Sequence, residues 1–268
     1  MTDLIFGVGV AAAAAPGDDP VAMAREAERL GYDFVSAADH PCGPDPSYEV
    51  LTMLTWIAAH TTRIKVASRV LAVPFRRPAM VAKLAASLDQ LSGGRLILGL
   101  GGGYSDSEIA AVGAPELSPA AKITGLAETV EILRGAWSQA GFSLTGTQYR
   151  VRDLEMQPRP ARPVPVWLGT FGPRALAVTG RLADGWIPSL GYVPTERFPA
   201  LRQRIDAAAE AAGRRPAEIR GILNLGICVD PSSRPQEDVV TGSATQVLSQ
   251  LRGLLGLGFS GFNFLVGG

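Results

Sequence analysis

The 268-residue chain carries 25 Lys plus Arg against 25 Asp plus Glu, with 47% hydrophobic and 19% charged residues. This balance excludes a disordered chain and leaves no overall field to gather nucleic acid or an anionic membrane. Only two cysteines occur, Cys42 and Cys228, without metal-ligand spacing, which excludes a disulfide framework and a zinc module.

The length suits one domain over residues 1–268, in the size range of an α/β barrel. The N-terminal residues contain no basic leader and no run reaches transmembrane length, so the cytoplasm is the expected compartment. Residues 4–10 read as a buried strand, and 20–30 as a helix with Val21, Ala24, Ala27 and Leu30 on one face, ended by Gly31. A short strand at 33–38 leads through a Pro- and Gly-rich loop to a helix near 48–60 carrying Val50, Leu51, Leu54 and Ile57.

Residues 64–71 form a third predicted strand. Val81, Leu84, Ala85, Leu88 and Leu91 then recur at helical spacing until Ser92-Gly93-Gly94, and 95–100 supply strand four. A helix over about 120–140 carries Leu126, Val130, Leu133 and Trp137 on one stripe, and a hairpin near 142–154, turning at Gly146, is read as an insertion. Strands five to seven follow at 164–168, 185–188 and 222–229, with a helix starting near Pro173 and a polar helix over about 196–212 between them. A last helix near 244–257 leads to strand eight at 261–266. Eight strands alternating with helices predict a (β/α)8 TIM barrel, here lacking the final outer helix because the sequence stops after strand eight. The face left open would expose apolar surface to water unless a second copy of the chain or the long helix at 120–140 covers it, and a homodimer is one expectation.

Barrel ligands bind at the C-terminal ends of the strands, which selects few positions. His40 directly follows strand two, next to Asp39, where an imidazole can exchange a proton near neutral pH; the competing reading is a loop histidine bonded to the rim. His60 ends a helix and reads as structural. The run Gly99-Leu100-Gly101-Gly102-Gly103 lets a ligand approach the backbone, though it departs from the dinucleotide fingerprint GxGxxG. Thr170-Phe171-Gly172-Pro173-Arg174 opens a helix with free N–H groups and a guanidinium suited to phosphate, or forms an ordinary helix start. Ser68-Arg69-Val70 closes strand three ahead of Pro74 and Pro78. No HExxH, P-loop or GxSxG element occurs, and no metal site is expected, which leaves an organic cofactor.

Three stretches then carry a family resemblance. They are Gly31-Tyr32-Asp33-Phe34-Val35 into Asp39-His40 and Gly43-Pro44-Asp45-Pro46, the span from Ala82 to Arg95 continuing into Gly99 to Tyr104, and Gly172-Pro173-Arg174-Ala175-Leu176 with Ala183-Asp184-Gly185-Trp186. Together they resemble the luciferase-like monooxygenase superfamily, in particular its coenzyme F420-dependent oxidoreductases. The resemblance implies a deazaflavin across the barrel mouth, its ring near Asp39, His40 and a non-prolyl cis peptide falling at Arg69-Val70, with Ser68 beside it. It also implies a phosphate held between Gly101, Gly102 and Gly103 and the segment Thr170 to Arg174. Where sugar-phosphate dehydrogenases of the family carry a glutamate after the glycine run, this chain has Tyr104, so a small, rather apolar organic substrate is expected instead. His40, and secondarily Tyr104, are the candidate catalytic residues for hydride transfer. An FMN-dependent monooxygenase using oxygen and a partner reductase is the alternative within the superfamily, and a non-catalytic flavin-binding protein the alternative outside enzymes.

Overall fold

The computed structural model describes residues 4–234 and 236–265. In chain order the elements are β1 (Ile5–Gly9), α1 (Pro20–Leu30), β2 (Phe34–Ala37), α2 (Val50–Ala59), β3 (Lys65–Ser68), β4 (Leu71–Ala72), α3 (Pro78–Ser92), β5 (Leu96–Gly101), α4 (Asp106–Ala111) and α5 (Pro119–Ser138). They continue with β6 (Phe142–Thr145), β7 (Arg150–Leu154), β8 (Val166–Leu168), α6 (Pro173–Leu182), β9 (Gly185–Trp186), α7 (Phe198–Ala211), β10 (Arg220–Cys228), β11 (Val239–Thr241), α8 (Ala244–Leu255) and β12 (Gly261–Leu265).

Eight strands, β1, β2, β3, β5, β8, β9, β10 and β12, pair in that order, each parallel to its neighbours, and the β12–β1 pairing closes the ring. The expected (β/α)8 barrel is therefore the observed one. Inside a strand successive side chains alternate between the lumen and the helix layer. On the lumen side Phe34 of β2 and Trp167 of β8 meet edge to face at 5.4 Å and plug the barrel. One layer higher a buried polar chain crosses the lumen: Ser36 Oγ donates to Asn263 Oδ1 at 3.0 Å, and Asn263 Nδ2 donates to Asn224 Oδ1 at 2.8 Å. Above that layer the barrel opens.

The structure departs from the sequence reading at three points. The third predicted strand divides into β3 and β4, and the Arg69-Val70 peptide between them is cis, as the resemblance implied. The sixth strand is only Gly185–Trp186; beyond it Pro188 has no N–H to offer a ladder. Two short elements went unforeseen, β11 on the flank of β10 and α4, which is capped by Ser105.

The hairpin of β6 and β7 stands outside the barrel sheet as expected. It is clamped by the buried Glu128 of α5, whose carboxylate accepts from the backbone N–H groups of Thr147, Gln148 and Tyr149 at 2.6 to 2.9 Å. On β12, Phe262 and Phe264 are buried with Phe6 and Tyr32 packed around them, so this flank does not show the apolar exposure that the sequence reading predicts there. The end of strand eight at Val266 and the place where a further outer helix would follow lie outside the described residues. Exposed apolar side chains concentrate instead on α2 and α3, at Trp56, Met80, Leu84 and Leu91. Among the described residues no helix is long and apolar enough to cross a membrane.

Candidate active site

Two adjoining clefts occupy the C-terminal mouth of the barrel. The deeper, of about 540 Å³, is lined by Asp39, His40, Arg69, Val70, Gly101 to Tyr104 and Phe171, among others. The shallower, of about 400 Å³, runs along Gly102 and Thr170 to Arg174. Every residue singled out from the sequence lines one or the other except Ser68. Its hydroxyl is buried in the wall, donating to the Gly99 carbonyl at 2.8 Å and accepting from the Gly99 N–H at 3.0 Å. Ser68 thus joins β3 to β5 and does not face a ligand, because it falls on the outward side of the strand alternation that points Arg69 inward.

Asp39 is committed to the wall. Its carboxylate accepts from Arg76 Nη1 at 2.7 Å and Nη2 at 2.9 Å, and from the Ala72 N–H at 3.0 Å, which pins the loop after β2 to β4. Arg76 also donates to Glu49 at 2.6 Å. Burial pulls the Arg76 guanidinium towards losing its proton, but the bonds and charges of Asp39 and Glu49 outweigh this and hold it more firmly charged than usual.

His40 is partly exposed at the rim, and its Nδ1 lies 3.1 and 3.2 Å from the two carboxylate oxygens of Glu108. An ionised carboxylate only accepts, so Nδ1 carries a proton and Nε2 of the neutral ring is left as the acceptor. Tyr104 stands edge-on to His40 at 6.2 Å. Partial burial, with smaller contributions from Glu108 and Tyr192, raises the Tyr104 phenol above its ordinary value, so it remains a proton-bearing donor at neutral pH.

The glycine run owes its composition to the neighbouring bulge. A Cβ on Gly99 would lie 2.0 Å from the Ser68 carbonyl oxygen, and one on Gly101 would lie 2.6 Å from Val70 Cγ2. The Ser68 carbonyl and the Val70 side chain therefore take the space that side chains at Gly99 and Gly101 would need, and the backbone of Gly101 to Gly103 forms part of the cleft lining. At its end Lys122 donates to the Gly103 carbonyl at 2.9 Å and pairs with Asp106 at 2.6 Å, fixing the loop.

Across the mouth, α6 begins at Gly172 with no side-chain cap and with Pro173 in its first turn. Leu176 is the first residue to return a backbone bond, to the Gly172 carbonyl, so the N–H groups of Arg174 and Ala175 face the shallow cleft. Arg174 is exposed beside them. Thr170 is buried, its hydroxyl 2.7 Å from that of Thr179, and Phe171 stacks on Tyr192 at 5.2 Å between centroids.

Sequence reasoning missed Glu108, Arg76, Lys122, Ser189, Tyr192 and Asn224. Glu108 was detectable: Ser105-Asp106-Ser107-Glu108 is the S-x-x-E pattern of a helix start, and Ser105 does accept from the Glu108 N–H. The others reach the site from loops, a strand and helix α5, far apart in sequence. Among the described residues no cluster of three or more His, Cys, Asp or Glu could hold a metal ion.

A closed (β/α)8 barrel whose strand ends open on a glycine-lined cleft, a histidine–carboxylate pair and a bare helix N-terminus is built to hold an elongated ligand with an anionic tail. The luciferase-like monooxygenase family model matches residues 5–258, and the chain belongs to this family. It is 33% identical over 220 residues to an F420-dependent glucose-6-phosphate dehydrogenase of Kineococcus radiotolerans, a match covering 78% of this chain; the matched region spans 63% of that relative's length. An uncharacterized protein of Mycobacterium bovis is 31% identical over 252 residues, covering 90% of this chain and 84% of its own. Among solved structures, an F420-dependent secondary alcohol dehydrogenase in complex with an F420–acetone adduct superposes with a TM-score of 0.88 at 16% identity, covering 98% of this chain and 93% of that one.

Proposed function

We propose that the protein is an oxidoreductase that binds coenzyme F420 and transfers a hydride between it and a small organic substrate. The observation that carries this reading is the placement of the His40–Glu108 pair and the N-terminus of α6 on two adjoining clefts that share the backbone of Gly102. The residues present fit a deazaflavin. Gly101, Gly102 and Gly103 would admit the flat ring against Val70, and the N–H groups opening α6, with Arg174, would take the anionic tail. Curated relatives named for F420 dependence support the same group.

When bound, the deazaflavin supplies the ring carbon that gives or takes the hydride. The chain's own residues do the rest. His40 Nε2 takes the proton of a substrate hydroxyl in the oxidising direction and returns it in the reducing one. Glu108 is a positioning residue, holding the tautomer that leaves Nε2 free. Val70, Ala72, Phe75, Phe171 and Ile187 give the cleft apolar walls, which support a substrate with an apolar body. Pairing with a second copy of the chain belongs to this reading, and light scattering that finds only monomer would remove it.

Titration of the purified protein with coenzyme F420 and with FMN, followed by fluorescence, tests the cofactor. Preference for FMN moves the reading to an oxygen-dependent monooxygenase, and binding of neither sinks the enzyme reading. With F420 saturating, His40→Ala should lower turnover about 100-fold; unchanged turnover would remove His40 from the chemistry.

A further inference from the structure

Arg69 has no use in the site described above. It lies at the end of β3 on the lumen side, in the layer above Ser36, Asn224 and Asn263, with its Nη2 close to Gly9 of β1, 3.9 Å from where a Cβ there would stand. Its Nε is fully buried and has no hydrogen-bond partner. The acids around the same cleft are already engaged, Asp39 by Arg76, Glu108 by His40 and Asp106 by Lys122. Lys122, the other cation in the lining, has its acid partner; Arg69 has none among the described residues. Burial pushes the Arg69 guanidinium down from its ordinary value, opposed by Tyr192. Arg69 as a whole is half-buried in the cleft lining, and a cation partly withdrawn from water is stabilised by an anion that reaches it.

A second donor faces the same space. Ser189 Oγ accepts from Asn224 Nδ2 at 3.3 Å, which leaves the serine proton free to donate. A guanidinium fork and a hydroxyl lining the same cleft offer donors of the kind that the two oxygens of a carboxylate accept.

We propose that Arg69 is the specificity-determining residue of the substrate cleft and that the substrate is a small organic acid whose carboxylate it receives. This rests on the oxidoreductase reading for the word substrate, while the anion pocket itself can be measured without it. The carboxylate end would sit at Arg69, with the apolar body along Val70, Ile187 and Phe171.

The test is calorimetric titration of the purified chain, with and without saturating F420, using acetate and benzoate against their neutral partners acetamide and benzamide, and inorganic phosphate. Wild type should bind at least one acid about tenfold or more tighter than its amide. Arg69→Gln should abolish that preference, and Arg69→Lys, which keeps the charge but not the fork, should retain part of it. Equal binding of acid and amide, no acid binding at tens of millimolar, or a preference that survives Arg69→Gln would overturn the proposal. Tighter binding of phosphate than of any acid would overturn the class assigned. Loss of F420 affinity in Arg69→Gln with acid binding intact would place the arginine on the cofactor and equally overturn it. Failure of F420 to bind, with the acid preference intact in the ligand-free chain, would break the oxidoreductase reading and leave the anion pocket standing.

Discussion

Arg76 and Arg69 leave the same connection between β3 and α3, seven residues apart, and meet opposite fates. Arg76 is satisfied by both oxygens of Asp39 and by Glu49, and the three groups lock the loops after β2 and β4 into one wall. Arg69 points into the lumen with a buried, unpaired Nε. A paired guanidinium ties the mouth of the barrel together, and the unpartnered Nε is the feature on which the proposed anion pocket rests.

The contrast can be broken by stability measurements. The largest effect is expected for Arg76→Gln, which strands the buried Asp39 carboxylate. Loss of one partner of a buried pair should lower unfolding stability by about 3 to 5 kcal/mol, read from chemical denaturation. A loss comparable to that of an exposed arginine would mean that the pair does not hold the wall. Arg69→Gln should go the other way, raising the stability of the ligand-free protein by about 1 kcal/mol as an uncompensated charge is removed. A clear loss there would show that Arg69 has a partner of its own, and the comparison would fail.

Glu49 sharpens the comparison with a smaller effect. Burial works to raise its carboxyl, but hydrogen bonds from Thr52 and Arg76 prevail and hold it below 4.5. A carboxyl depressed in the folded state contributes stability that is present above the unfolded value and is lost as pH falls through the folded one. The melting temperature of wild type should therefore exceed that of Glu49→Gln at neutral pH, and the gap should close below about pH 4.5. A gap that persists in acid would assign the effect to the amide substitution rather than to charge.

The legibility of this molecule differs between its skeleton and its site. Strand and helix periodicity marked all eight barrel strands and their seven intervening helices, with α1 placed at its observed ends. The hairpin was legible because alternation and a turn glycine are local signals; its anchor was not, since Glu128 contributes from a helix about twenty residues earlier. His40, Tyr104, the glycines from Gly101 and the segment from Thr170 to Arg174 line the mouth where their positions after strands put them, whereas Ser68 lies in the wall between β3 and β5, and the cis Arg69-Val70 bond was reached only through family resemblance.

By itself the sequence determined the order of elements, the barrel and the short stretches that face its mouth, because these follow from periodicities of 2.0 and 3.6 residues and from turn chemistry within a few positions. The tertiary structure decided which charges meet. Whether an arginine becomes a wall tie or is left without an acid partner depends on Asp39 lying 37 residues from Arg76 along the chain and, among the described residues, on no acid pairing with Arg69. Pairings at such separations leave no periodic trace, and they are what gives the cleft its chemistry.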